Sequence, residues 1–305
     1  MKPSRIVIVG AGMVGSTTAY TLFLRGRANE IVLIDINREK AFGDALDMNH
    51  GHAFAGPTKV WAGDYADCEG AEIIIIAAGA SQKPGETRID LLNRNAAIFG
   101  DIIANITRYT KDAILLVATN PVDIMSYVTL VKSGFPVRRV IGSGTLLDSA
   151  RLRFLIGDRL KVDPRSVHAH IVGEHGDSEV PLWSLANFAG TPINLTPEEK
   201  EEIFINTRDA AYRIIEAKGA TYYAIALALD RICAAILGDE GAVLNVSTLL
   251  DDYHGVSGIY LGVPCIVDRS GVREVIKVDM SEEEIRLFRA SGDKIREQIR
   301  GLKLD

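Results

Sequence analysis

Ile6-Val7-Ile8-Val9-Gly10-Ala11-Gly12-Met13-Val14-Gly15 couples a β-branched run to three glycines spaced G-x-G-x-x-G. The run reads as a short buried strand, and a helical pattern over 13–24 follows the glycines. Such glycines permit a tight turn and let backbone N–H groups approach a pyrophosphate, which a helix N-terminus then stabilises. A second apolar run, 31–34, ends at Asp35, 20 residues past Gly15. The Asp35 carboxylate suits a ribose diol and repels a 2′-phosphate, so NAD is expected over NADP. A Gly-rich turn with Asp35 as a strand-end cap is the plainer alternative.

Working outward, further apolar runs lie at 73–78 and 114–118, with a weaker one at 137–141. Helical patterns separate them, one passing through Ala41, Ala45 and Met48. Runs that do not alternate mean strands covered on both faces, which predicts an α/β, Rossmann-type doubly wound parallel sheet. Beyond Gly142 the pattern changes. A helix is expected over 146–160, stopped before Pro164, then a strand over 167–172. Thr196-Pro197-Glu198-Glu199 is a helix start, with periodicity to about Lys218 and a second helix over 221–237. Residues 242–278 hold three β-rich runs with turns at 251–255 and 269–271, which suggests antiparallel hairpins. Ser281-Glu282-Glu283-Glu284 opens a final amphipathic helix. The expected layout is a dinucleotide-binding domain over 1–142 and an α+β domain with antiparallel strands over 143–305.

The chain has 305 residues, with 34 Lys+Arg against 40 Asp+Glu and a net charge of −6. That balance argues against a nucleic-acid surface. Cys68, Cys233 and Cys265 are few and far apart, so neither a disulfide framework nor a metal pair is expected, and a reducing, cytoplasmic setting is. The first strand begins by Arg5, leaving no room ahead of it for a signal peptide, and no apolar run reaches the roughly 20 residues a membrane helix needs.

Four more stretches carry chemistry. The polar segment Gly79-Ala80-Ser81-Gln82-Lys83-Pro84-Gly85-Glu86-Thr87-Arg88 follows a buried strand, where α/β ligands bind, and suits an active-site lid or an ordinary surface loop. Thr119-Asn120-Pro121-Val122-Asp123 also ends a strand; Asn120 suits a ligand carbonyl, an imidazole or a turn. Asp148 and Arg151, three apart, share a helix face, an ion pair being the plain reading. Arg153 lies about 200° round from Arg151 and must serve another surface. Gly173-Glu174-His175-Gly176-Asp177-Ser178 presents His175 between two near glycines. The pairs His50/His52 and His168/His170 lack a third ligand, so no metal is expected.

In their order and spacing, these motifs make the whole chain resemble the L-lactate/malate dehydrogenase family, and most closely its bacterial lactate dehydrogenases regulated by a sugar bisphosphate. The resemblance implies reversible hydride transfer between NADH and pyruvate, giving L-lactate. It implies His175 as proton carrier, Asp148 as its orienting carboxylate and Arg88 as a cation on a mobile loop that polarises the ketone. Arg151 would grip the substrate carboxylate, Asn120 the substrate oxygen, and Thr221 would line the pocket. Cofactor contacts are implied at Gly10, Gly12, Val14, Gly15, Asp35, Lys40, Tyr65, Gly79, Ala80, Ala118, Asn120 and Ser143. Gln82 stands where malate-specific members carry Arg, which favours pyruvate over oxaloacetate; an NAD-dependent malate dehydrogenase is the alternative. Arg153 and His168 match the pair that binds fructose 1,6-bisphosphate, the expected activator, in a homotetramer. The 190–200 connection is shorter than in some relatives. NAD-dependent glycosidases are longer and need Cys/His metal ligands not found in this sequence. A non-catalytic NAD sensor would be expected to lack one of His175, Asp148, Arg88 or Arg151.

Overall fold

The computed structural model describes residues 4–80, 85 and 87–302, with Arg88 described in its backbone alone. Six strands form the parallel part of the sheet: β1 (Arg5–Val9), β2 (Glu30–Ile34), β3 (Lys59–Ala62), β4 (Ile73–Ile76), β5 (Ile114–Val117) and β6 (Val140–Gly142). Their order is β3-β2-β1-β4-β5-β6. The order reverses beside β1, and in doubly wound sheets the carboxyl ends of the strands around such a reversal are where ligands bind. Non-alternating sequence is the cause: Ile73, Ile74, Ile75 and Ile76 are all 0% exposed, since helices cover both faces. Burying each such side chain favours folding by roughly 1.5–3 kcal/mol.

The connecting helices are α1 (Met13–Leu24), α2 (Arg38–His50), α3 (Arg88–Ile106) and α4 (Val122–Ser133). Then α5 (Leu146–Leu160) leads into the second half. Three of these elements escape the sequence reading. β3 is a short edge strand whose residues do not form a continuous buried run. α3 carries its own signals: a Thr87/Asp90 capping box and buried residues Leu92, Ala96, Phe99, Ile103 and Ile106 at helical spacing. α4 follows Pro121 and ends at Gly134, in the left-handed region with φ 65.

In the second half, the single strand expected over 167–172 is two. Val167–His168 pairs with Asn187–Phe188, whereas Ile171–Val172 pairs with Val180–Pro181. The split has a local cause, because α5 captures the Ile171 backbone. Thr145 Oγ1 donates to the Ile171 carbonyl at 2.6 Å, and the Ile171 N–H donates to Ser149 Oγ at 2.9 Å. The expected helix to Lys218 breaks at Asp209 into Pro197–Arg208 and Ala210–Lys218, and Tyr223–Leu237 follows. Strands Ala242–Leu249, Tyr260–Asp268 and Gly271–Val275 are antiparallel, as the turn signals predict. They do not stand apart: Ser247 pairs with Gly142 of β6, so they extend the parallel sheet on its far edge. The last helix, Glu282–Arg300, opens on the expected Ser281/Glu284 capping box.

Candidate active site

The cofactor side is built at the strand ends. Gly10 has φ +101, and a Cβ there would lie 2.5 Å from the Ala78 nitrogen. A Cβ on Gly15 would lie 1.8 Å from the Gly10 carbonyl oxygen. Gly12 differs, since a Cβ there meets nothing within 4 Å, and this residue caps α1 without any side-chain hydrogen bond. Two glycines therefore serve close packing, and the third leaves open space over uncapped helix N–H groups, which fits an incoming pyrophosphate. Asp35 faces the same turn: its Oδ2 accepts from the Ala11 N–H at 2.7 Å and its Oδ1 from the Asn37 N–H at 2.8 Å. Lys40 Nζ donates to the Ala11 carbonyl and, at 2.6 Å, to Asp44. Val14 and Ala118 pack against the core. The Ala80 N–H donates to Asn95 Oδ1 at 2.8 Å, and the Ser143 N–H to the Val117 carbonyl at 2.8 Å. Gly79 follows β4, and a Cβ there would press on Thr119 Cγ2 at 2.7 Å. Tyr65 lies half-buried in the single turn Tyr65–Cys68, and burial pushes its phenol up.

A cavity of about 570 Å³ is lined by Asn120, Asp148, Arg151, His175, Glu179 and Arg208 among others. His175 Nδ1 lies 2.6 Å from Asp148 Oδ2. The other Asp148 oxygen accepts from Arg151 Nη1 at 2.8 Å. The intrahelical ion pair and the His–Asp pair thus coexist on one carboxylate. Arg151 has five N–H donors and spends one there, which leaves most of its fork for a ligand. The three side chains come from two elements: Asp148 and Arg151 from the first two turns of α5, and His175 from the loop after Ile171–Val172.

Electrostatics separates these groups. Burial opposes a charge on His175, but the Asp148 carboxylate and its hydrogen bond outweigh it, and the imidazole is pushed up to about 9. Burial likewise opposes a charge on Asp148, yet His175 and Arg151 hold its carboxyl below the usual range. Glu179 is 5% exposed, and burial, with Asp148 adding repulsion, lifts it to about 9.

The loop bearing His175 is pinned by three successive N–H groups. Gly173 exchanges two 2.9 Å backbone bonds with Gly262. The Glu174 N–H donates to Ser291 Oγ at 2.8 Å, and the His175 N–H to Asp123 Oδ2 at 2.8 Å. Asp123, Glu179, Arg208, Ser247 and Ser291 carry no assignment in the sequence reading. Asp123 lies inside a motif quoted for Asn120; Ser247, 124 residues further on, has no local signal. Thr221 lines an adjoining cavity that shares Arg151 with this one. Gln82 and the Arg88 side chain lie outside the described residues. Away from the cavity, Arg153 is half-buried and donates to the Ala169 carbonyl at 3.0 Å, while His168 is exposed on its strand. Among the described residues, no helix is long and apolar enough to cross a membrane.

The chain was compared with known proteins. Residues 4–142 match the family model of the lactate/malate dehydrogenase NAD-binding domain, and residues 145–303 that of the lactate/malate dehydrogenase α/β C-terminal domain. An L-lactate dehydrogenase of Acetivibrio thermocellus is 52% identical over 98% of each chain, and one of Geobacillus kaustophilus is 51% identical over 95% of each. Among solved structures, the minor L-lactate dehydrogenase of Enterococcus mundtii, in a ligands-bound form, superposes with a TM-score of 0.97 at 43% identity over 99% of both chains. A lactate dehydrogenase enzyme from a Medee basin deep-sea metagenome library gives a TM-score of 0.96, also at 43% identity over 99% of both.

Proposed function

The chain belongs to the lactate/malate dehydrogenase family and is an NAD-dependent oxidoreductase, and from that premise we propose that it is an L-lactate dehydrogenase interconverting pyruvate and L-lactate. The observation that carries the reading is the His175–Asp148 pair, 2.6 Å apart and beside a cavity that also holds Arg151. NAD, when bound, supplies or takes up the hydride. His175 Nδ1 is occupied by Asp148, so Nε2 is the atom that gives its proton to the ketone oxygen. Asp148 keeps the ring in that orientation and favours the imidazolium. Arg151 grips the substrate carboxylate through its free N–H groups. Asn120 hydrogen-bonds the substrate oxygen, and Arg88 stabilises the negative charge that develops there, more in the transition state than in the ground state. A neutral Gln82, where malate-specific relatives carry Arg, suits the substrate methyl group, and Thr221 closes the pocket near the ring of the cofactor. The dinucleotide is held by Gly10, Gly12, Val14, Gly15, Asp35, Lys40, Tyr65, Gly79, Ala80, Ala118, Asn120 and Ser143, chiefly at strand ends of a domain over 1–142. The substrate domain is 143–305.

Regulation and assembly are part of the same proposal. Arg153 and His168 take fructose 1,6-bisphosphate where two subunits of a homotetramer meet. Exposed apolar side chains such as Tyr20, Leu24, Phe42 and Leu46 supply surface for self-association. The three cysteines are unpaired and buried, in keeping with a cytoplasmic enzyme. The test is NADH oxidation with pyruvate, oxaloacetate and larger 2-oxo acids. Pyruvate is expected to give the highest kcat/KM; a higher value for oxaloacetate would replace this reading with malate dehydrogenase.

A further inference from the structure

We propose that Asp123, seated on Ser247, is a positioning residue that sets the place of His175 in the cavity. The inference rests on reading His175 as the proton carrier. Asp123 stands in the first turn of α4, three residues after Asn120, and is 1% exposed. Both of its oxygens are engaged: Oδ2 accepts the His175 main-chain N–H at 2.8 Å, and Oδ1 accepts the Ser247 hydroxyl at 2.5 Å. One short carboxylate thereby joins three parts of the chain. These are the turn carrying Asn120, the loop carrying His175, and the strand Ala242–Leu249. Asp148 fixes the imidazole ring through Nδ1, whereas Asp123 fixes the backbone from which it hangs. A buried carboxylate with two donors is a stiffer anchor than a neutral amide, because charge-assisted hydrogen bonds are shorter and stronger.

Protonation would remove one acceptor. Burial pushes the Asp123 carboxyl up to about 6, while the Ser247 hydroxyl and the His175 N–H hold it back. The charged groups facing it are His175 and Glu174, and Glu174 is itself paired with Lys294 from the last helix at 2.8 Å. Ionised Asp123 weakens the fold above its own pKa, since that pKa lies above the unfolded value. Asp123→Asn relieves this cost, so its thermal midpoint at neutral pH should stay close to that of the unaltered chain even as turnover falls.

The experiment is kcat for pyruvate reduction against pH, for the unaltered protein, Asp123→Asn and Ser247→Ala, with NADH binding measured by fluorescence. Asp123→Asn should lower kcat about ten- to a hundred-fold, as small misplacements of a reacting group do, and leave NADH affinity within about two-fold. It should also erase an acid limb near pH 6. Ser247→Ala removes one donor and should move that limb up by about one pH unit. An acid limb that stays in place in both variants overturns the proposal, whatever happens to kcat. If Asp123→Asn does not fold, the Ser247→Ala limb decides alone. His175→Ala is the separate control: substantial turnover in that variant would remove the proton-carrier reading itself, whereas an inactive His175→Ala beside unmoved limbs removes only the role of Asp123.

Discussion

At the residue scale, the chemistry turns on where one proton sits. With His175 raised to about 9, its charged form dominates across the neutral range. Pyruvate reduction consumes that proton, so its rate should hold through neutrality and fall as pH rises through about 9. Lactate oxidation needs the neutral ring and should rise over the same interval. Opposite slopes in the two directions, measured as kcat/KM between pH 7 and 10, are the expected result; parallel slopes would sink the assignment. Gln82→Arg places an unpaired cation where the substrate methyl is expected, which is costly, and should lower the pyruvate-to-oxaloacetate ratio of kcat/KM by about ten-fold or more. An unchanged ratio would mean that residue 82 does not face substrate. Legibility at this scale followed distance along the chain. The G-x-G-x-x-G turn and its strand-helix setting are contiguous, and the spacing to Asp35 is fixed by one βαβ unit. The His175–Asp148 contact spans 27 positions and needed the family resemblance to be seen. The Asp123–Ser247 contact spans 124, and nothing in either local sequence announces it.

Elements were legible where their ends carry chemistry. The boxes at Thr196/Glu199 and Ser281/Glu284 are both formed as side chain-to-backbone pairs. The equivalent Thr87/Asp90 box directly follows a polar stretch of sequence, which hides the helix start. Strands that alternate weakly, such as β3, or that switch partners, as at Val167–Val172, depend on neighbours the sequence does not display. The last helix does more than pack against α4 and the Val180–Pro181 strand. Glu284 accepts from the Ser184 N–H at 3.0 Å and from its hydroxyl at 2.5 Å, and Ser291 receives the Glu174 N–H. Ser281→Ala removes one cap and should cost about 1 kcal/mol in denaturant unfolding. Glu284→Ala also strands Ser184 and should cost more, about 1–3 kcal/mol. Equal midpoints for both variants and the unaltered chain would mean that this helix end frays freely.

For the whole molecule, ligands should report on the fold by mass action. NADH at a hundred times its Kd adds about 2.7 kcal/mol to stability, so Tm should rise with NADH and much less with NADPH, which meets Asp35. Equal rises would remove Asp35 from cofactor choice. Pyruvate saturation curves should shift to lower KM with fructose 1,6-bisphosphate, and Arg153→Gln should abolish the shift while sparing the maximal rate; superimposable curves for the unaltered chain would leave Arg153 and His168 as ordinary surface residues. The seam at β6 has a different kind of consequence. Ser247 pairs with Gly142 across the boundary between the two family segments, so one sheet runs through both. Severing the chain there would leave β6 as a bare edge on one fragment and the Ala242–Leu249 strand as a bare edge on the other. Unpaired edges of apolar strands recruit other chains. Each fragment made alone should precipitate, and the two made together should reassemble along that edge. Homologous halves exchanged between relatives would inherit the same demand: grafting succeeds only where the borrowed edge keeps the register of the lost one.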